Sequence, residues 1–166
     1  MAAHSRPSRR STTVVTAQAQ QRFAVTAGYR FSAAWDVSAS YSNVQYVPRV
    51  QSAFRDTAIF NTAGAVLHYK PATPWDISAG YSYTRATASN GIPDLASYHQ
   101  IVLTQYYSLS KRTGLYAIEG YQHANGRTLA GGRIVTATAS IGEAFAASPS
   151  STRNQLGLLL GMNHRF

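Results

Sequence analysis

The sequence predicts an all-β protein, an antiparallel up-and-down meander that forms part of a transmembrane β-barrel. Three observations predict this fold class. Apolar and polar residues alternate with a period of two along several stretches, as they do in strands that have two different faces. Short and long connections alternate between these stretches. Charged residues make up 13% of the chain and tyrosine occurs 11 times, whereas soluble domains carry roughly 25% charged residues.

Composition narrows the class further. The chain has 166 residues, which suits one domain, and it has no cysteine, so disulfides and thiolate metal sites are excluded. Lysine and arginine number 15 against 6 acidic residues, which gives a net charge of +9. The sequence contains no stretch of ~18 apolar residues, so it predicts no transmembrane helix.

The N-terminal segment, residues 1–20, is basic and polar. It lacks the apolar region of roughly 7–15 residues that an export signal requires. We expect this segment to be disordered or weakly structured. Residues 21–166 are then the single folded domain.

Two hairpins follow, and the second repeats the first. Residues 22–31 and 35–42 alternate as strands around a short turn, and residues 45–56 are predicted to form a long loop. The segment 62–82 repeats this hairpin, with two prolines in its turn where no paired strand could hold them. Residues 85–97, with Asn-Gly and a proline, are predicted to form the next long loop.

A third hairpin spans residues 101–123, with its turn at 110–114. The facing of its second strand is ambiguous. One phase contains Leu115 and Glu119, and the other contains Tyr116 and Gln122. We prefer the second phase as the apolar one, because the first would place a carboxylate on the apolar side.

The chain ends on a long segment, 124–152, and a closing strand, 153–166. Residues 134–141 within the long segment are predicted to form a short hairpin arm. Every second residue of the closing strand, from Leu156 to Phe166, is apolar or aromatic except His164. A membrane-spanning strand needs ~9–11 residues. A strand of a soluble sandwich, the alternative, has roughly 5–6.

The aromatic residues are sorted by position, which favours the membrane. Five of them flank the short turns and are predicted to form an interfacial girdle: Tyr29, Trp35, Tyr69, Trp75 and Tyr107. Five others lie near the long loops, where a second girdle is expected: Tyr41, Tyr46, Tyr81, Tyr83 and Tyr98.

The closing strand, which ends in His-Arg-Phe, and the segments 107–113 and 148–155 resemble the C-terminal half of the trimeric general porins of Gram-negative outer membranes. The resemblance implies a passive diffusion channel for small hydrophilic solutes and ions, located in the cell outer membrane, with sixteen strands, a homotrimeric assembly and no cofactor. It implies contact with outer-membrane lipid. It also implies that the outer-membrane assembly machinery reads the C-terminal residues Met162, His164 and Phe166. In that family an inward-folded third loop, upstream of these residues, narrows the pore.

The number of predicted strands limits how the barrel can close. We count seven strands, whereas a closed bacterial barrel has an even number. We therefore expect at least one further strand upstream, so that this chain supplies about 7–8 strands of a larger porin. Two alternatives stay open: a small eight-stranded barrel without a channel, which would use Thr12–Ala19 as its extra strand, and a truncated, non-functional porin.

The titratable residues give no sign of an enzyme. The six acidic residues form no adjacent pair, the five histidines lack metal-ligand spacing, and no nucleophile elbow is present. We expect no catalytic residue, cofactor or metal.

The polar phase of the strands is predicted to line a water-filled lumen. The candidate lumen-facing residues are Arg22, Arg30, Ser38, Ser78, Arg85 and Arg165. Rings of arginine favour anions, so an anion preference is expected, although each arginine taken alone could instead extend to the membrane interface. A basic nucleic-acid-binding sheet would carry its tyrosines on the arginine face. Here Tyr29 and Tyr41 lie opposite the arginines, so no nucleic-acid partner is expected.

Overall fold

A computed structural model describes residues 17–50, 52, 54–130, 132–142 and 148–166. These residues form nine strands: β1 (Ala19–Arg30), β2 (Trp35–Val47), β3 (Ala58–Tyr69), β4 (Trp75–Ala86), β5 (Ser97–Ser108), β6 (Thr113–Asn125), β7 (Arg127–Ala130), β8 (Arg133–Thr136) and β9 (Asn154–His164). Within the described ranges, no helix has the length and apolar character needed to cross a membrane.

Seven strands form one antiparallel sheet in the order β1-β2-β3-β4-β5-β6-β9, and β7 pairs with β8 as a separate hairpin. The prediction of an all-β antiparallel meander is therefore confirmed. In the described part of the chain, β1 and β9 pair with β2 and β6 respectively and not with each other. Among the described strands, none pairs with either outer edge of the sheet.

The register divides the sheet into two faces, since directly paired residues point to the same side. One row runs Leu67, Ala79, Leu103, Glu119 and Leu158. We call the face that carries this row the apolar face. The opposite side, which carries the row Ser40, Gly64, Ser82, Gln100 and Gln122, is the polar face.

The preferred facing of β6 was wrong. Leu115 pairs with Met162, and Glu119 pairs with both Leu103 and Leu158, so these residues lie on the apolar face. The register of a whole strand is set by its backbone bonds to both neighbours, and slipping it by one residue would move every side chain to the other face. One carboxylate does not offset that cost.

The strands extend further than the hydrophobic pattern indicated. The predicted loops at 45–56 and 85–97 begin too early, since β2 runs to Val47 and β4 to Ala86. Side-chain amides support the polar end of β2, where Asn43 Nδ2 donates to Asn61 Oδ1 at 2.8 Å and Gln45 Nε2 donates to Asn43 Oδ1 at 2.9 Å. Hydrophobic periodicity cannot detect this kind of pairing.

The N-terminal boundary and the predicted hairpin arm also differ from expectation. β1 begins at Ala19, inside the segment assigned to the disordered N-terminus, while residues 1–16 lie outside the described ranges. The proposed extra strand Thr12–Ala19 therefore falls almost wholly on residues that are not described. The short hairpin of the long segment is β7–β8, which ends at Thr136, earlier than the predicted arm.

Little of the described chain is buried. The buried apolar residues are few, and all but one are alanines: Ala96, Ala124, Ala137, Ala139 and Ile141. Three of them cluster where the long connections meet the sheet, with Ala86 and Tyr98 packed against them. No described element covers the apolar face, where large side chains are exposed. The described residues thus form no sandwich core, and backbone pairing holds the sheet together.

Gly126, between β6 and β7, gives a test of this packing. It has φ 76°, and a Cβ there would overlap the backbone carbonyl of Leu95. Gly91 has φ 67° but open space around its Cβ position. We expect Gly91→Ala to cost about 1–2 kcal/mol from left-handed strain alone, and Gly126→Ala to cost about 1–3 kcal/mol more from the overlap. Urea unfolding in detergent measures both, and equal losses would contradict the close approach of Leu95.

Candidate functional site

The five residues of the predicted girdle lie on the apolar face, at the end of the sheet that carries the short turns. Trp35 packs on Tyr69 with ring centroids 4.3 Å apart, and Trp75 packs on Tyr107 at 4.8 Å. Tyr29 is 69% exposed. The repeated hairpin explains the pattern, because the tryptophan that opens each second strand meets a tyrosine of the next strand. Placement in a membrane interface stays a prediction.

The aromatic residues near the long loops are divided between the two faces. Tyr41, Tyr81 and Tyr83 lie on the apolar face, and the Tyr81 hydroxyl is 2.8 Å from His99 Nδ1. Tyr46 and Tyr98 lie on the polar face instead. The predicted second girdle is therefore incomplete.

The C-terminal residues are presented outward. Met162 is 64% exposed, and Phe166 is fully exposed. His164 Nδ1 lies 2.9 Å from Thr113 Oγ1, and its ring meets Phe166 edge-on at 4.8 Å. This arrangement leaves the terminal aromatic accessible. Recognition of these C-terminal residues by the outer-membrane assembly machinery stays a prediction.

The register places most of the candidate lumen residues on the polar face. Arg30 pairs with Asp36, Ser38 pairs with Gly28, and Ser78 pairs with His68. Arg22 pairs with Val44 on the same face. Arg165 follows Asn163, two positions along the same phase, and its backbone N–H donates to the Arg112 carbonyl at 2.9 Å.

Arg85 does not lie on that face. It pairs with Asn61 and Ser97, and it shares the apolar phase of Tyr81 and Tyr83. The pairing of β4 continues to Ala86 without a bulge. Arg85 therefore stays on the face opposite Thr84, which lies on the polar face. Placing it in the polar phase was wrong.

Sequence reasoning missed a charged cluster on the polar face. The His68 ring on β3 lies between two carboxylates: Nδ1 is 2.9 Å from Asp36 Oδ2 on β2, and Nε2 is 2.7 Å from Asp76 Oδ1 on β4. Lys70 Nζ lies 2.9 Å from Asp76 Oδ2. The groups other than Lys70 are half-buried. We call these four residues the Asp-His-Asp-Lys cluster.

The sheet order builds this cluster from the internal repeat. Asp36 and Asp76 are equivalent residues of the two hairpins, at the start of β2 and β4, and β3 lies between those strands. His68 therefore meets a carboxylate on each side. Combining the repeat with meander topology would have found it, whereas looking for adjacent acidic residues along the sequence did not.

The chemistry of the cluster is that of charge neutralisation. A neutral imidazole has a single N–H, so both contacts of His68 are hydrogen bonds only when the ring or a carboxyl group carries an extra proton. The Asp76 carboxylate accepts a hydrogen bond from Lys70 and raises the pKa of that lysine above its ordinary value of 10.5. The two acids on the polar strand positions thus have cationic or hydrogen-bonding partners.

A basic cleft of about 350 Å³ lies at the same end of the sheet. It is lined by Tyr106, Ser108, Ser110, Lys111, Arg112, Asn163 and Arg165. Tyr106 lies over Gly114, where any larger side chain would displace the ring. The polar face therefore carries a cluster of paired acidic residues near β2–β4 and a cationic cleft near β5–β9.

No group of histidine, aspartate or glutamate side chains in the described ranges is arranged to hold a metal ion. Comparison with protein-family models found no match, and neither did comparison with curated proteins.

We expect His68→Ala to destabilise the sheet by about 1–2 kcal/mol, because the hydrogen bonding of the ring is lost and two carboxylates are left without it between them. Partial exposure keeps the loss at the low end of what buried pairs show. Urea unfolding in detergent measures it. Adding Asp36→Asn to His68→Ala should recover part of the loss, since it removes the repulsion. No recovery would contradict the electrostatic account.

The contact between Lys70 and Asp76 makes a pH-dependent contribution. The pKa of Lys70 is raised in the folded protein, so the contribution is fully present below pH 10.5 and is lost as the pH rises through the raised pKa. We expect the stability difference between the wild type and Lys70→Met to shrink above pH 10.5. A difference that stays constant through that range, measured by urea unfolding, would show that the pair contributes nothing.

Proposed function

We propose that this chain is part of an outer-membrane porin, a passive diffusion channel for small hydrophilic solutes that prefers anions. The observation that carries the proposal is the exposed apolar face, which extends over the sheet opposite a polar face. The resemblance of the C-terminal strand to the general porins agrees with it.

The apolar face suits a lipid environment. Leu156, Leu158 and Leu160 of β9 are 77%, 62% and 68% exposed, and large apolar side chains of β1, β2, β4, β5 and β6 are exposed on the same face. The sheet strands are 11 to 13 residues long. A membrane strand needs ~9–11 residues. Large continuous apolar patches of this kind mark membrane or protein contacts.

The charges of the polar face support an anion preference. Its acidic strand residues, Asp36 and Asp76, are engaged by His68 and Lys70. Arg22, Arg30 and Arg165 make no ion pair with any described residue. The remaining charge along this face is therefore positive, and positive rings favour anions in pores.

A closed channel needs strands in addition to these seven. Each sheet strand is antiparallel to its neighbours, so β1 and β9 run in the same direction. A fully antiparallel barrel then requires an odd number of further strands between the two edges. We propose that a larger porin barrel supplies them and that it assembles as a homotrimer, as the resemblance implies. The eight-stranded barrel would need a single additional strand and would conduct nothing.

The nucleic-acid alternative is disfavoured because the exposed tyrosines, which a nucleic acid would need for stacking, lie on the apolar face, whereas the tyrosines of the polar face are half-buried. Tyr29 and Tyr69 lie on the apolar face, whereas Arg22 and Arg30 lie on the polar face. A stacking platform needs both on one surface.

The membrane assignment predicts a difference between neighbouring positions. Ala79→Arg places a charge in the middle of the apolar face, where we expect a loss of about 2–4 kcal/mol near the bilayer midplane. Ser78→Arg, one residue away, points to the polar face and is expected to be tolerated. Heat-modifiable mobility and trypsin resistance of the outer-membrane fraction report folding. Equal damage at both positions, or recovery of the folded protein in the soluble periplasm, would contradict the proposal.

The anion preference predicts the sign of the reversal potential in planar bilayers that contain the barrel completed by the further strands. We expect chloride to pass more readily than potassium at low salt, with a preference that fades as the Debye length falls from ~30 Å at 0.01 M to ~3 Å at 1 M. Replacing Arg22, Arg30 and Arg165 by glutamine should weaken the preference. Arg85→Gln, on the other face, is the control and should leave it unchanged. A cation-selective sign would reject the anion claim, and a folded barrel without conductance would favour the eight-stranded alternative.

A further inference from the structure

Residues 137–141, in the connection between β8 and β9, lie on the polar face of the sheet. Along residues 137–141 burial alternates. Ala137, Ala139 and Ile141 are buried, with 0%, 0% and 5% exposure. Thr138 is half-buried and Ser140 is exposed. This alternation shows an extended segment with one side packed on the sheet and the other side turned away from it.

Backbone hydrogen bonds fix the segment at several points. The Ala137 N–H donates to the Gly126 carbonyl and the Ala139 N–H donates to the Thr152 carbonyl, both at 3.0 Å. The Ser150 N–H donates to the Ala139 carbonyl at 2.8 Å. The segment is therefore bonded both to residues that precede it in the sequence and to residues that follow it.

Two glutamines attach the segment to the polar face. Gln122 Oε1 accepts from the Ser140 N–H at 2.7 Å, and Gln122 Nε2 donates to Gln100 Oε1 at 2.8 Å. Gln155 Oε1 accepts from the Ile141 N–H at 3.0 Å, and Gln155 Nε2 donates to the Ser148 carbonyl at 2.8 Å. Gln122 is 7% exposed, so its amide would be costly to leave unpaired.

We propose that residues 137–141 form a fixed inner lining of the channel wall, and that Gln122 and Gln155 are positioning residues that set the width of the channel at this level. The inference rests on the proposed channel function. Packed layers are spaced by roughly 10 Å, so a second layer over β6 and β9 narrows the lumen. The lining turns the hydroxyls of Thr138 and Ser140 to the solute and carries no charge. It therefore selects small hydrophilic solutes by size, while the arginines act on charge.

The first arm of the test measures position and does not need a channel. In the full chain folded in detergent, Gln122→Leu should make the Ser140 amide exchange its hydrogen about tenfold faster, as expected for the loss of roughly one net hydrogen bond. Gln105→Leu is the matched control, because Gln105 lies on the apolar face between Ile77 and Ala117. It should leave Ser140 exchange unchanged. Equal Ser140 protection in the wild type and Gln122→Leu would overturn the positioning role.

The second arm measures width in planar bilayers. The double variant Gln122→Leu/Gln155→Leu should have a higher single-channel conductance than the wild type and should admit larger polyethylene glycols, with Gln105→Leu unchanged. If the wild type conducts and the double variant keeps the same conductance and size limit, the lining does not set the width. If the barrel completed by the further strands folds and shows the expected exchange but never conducts, the proposed function fails, and the channel role of the lining fails with it.

Discussion

Antiparallel backbone pairing is the constraint on which the rest of this structure depends. The described chain buries few side chains, and none of the largest, so hydrophobic packing within it cannot decide which way each strand faces. The continuous register from β1 to β9 decides it instead. Once the register is set, every residue is assigned to one face. The register places Glu119 among leucines, Arg85 beside Tyr83, and the arginines of β1 on the face opposite Tyr29.

Much of the fold follows from the sequence because period-two alternation is a local signal. The sheet strands, the three short turns and the repeated tryptophan hairpin are visible in the pattern, although the strand ends at Val47 and Ala86 are not. Near the end of β2, the amide of Asn43 pairs with Asn61 across strands and the amide of Gln45 pairs with Asn43, where no hydrophobic contrast marks the strand. The facing of β6 failed for a related reason. The prediction relied on a single carboxylate, Glu119, whereas the facing is set by the pairing of the whole strand with its neighbours.

The candidate site was less predictable because it depends on which strands become neighbours. The face on which the five predicted girdle residues and five of the six lumen candidates lie could be assigned by phase alone. The Asp-His-Asp-Lys cluster could not, since His68 is distant in sequence from Asp36 and meets it only across the pairing of β2 with β3. The glutamines that hold the inner segment pose the same difficulty. Gln122 and Gln155 look like ordinary polar-phase residues until a loop returns to cover them.

The order of the strands also has a mechanical meaning. The strands β1 to β6 are bonded to one another in sequence order, and only β9 is joined to its neighbour β6 across a long connection. Load applied to the N-terminal end would therefore act on one row of hydrogen bonds at a time. The strands would separate from the sheet one after another, and the sheet would not unfold in a single cooperative step. The step that separates β2 from β3 would also have to break the contact of His68 with Asp36, and the step that separates β3 from β4 would have to break its contact with Asp76. The Asp-His-Asp-Lys cluster would then add local resistance to unfolding of the sheet from its β1 edge.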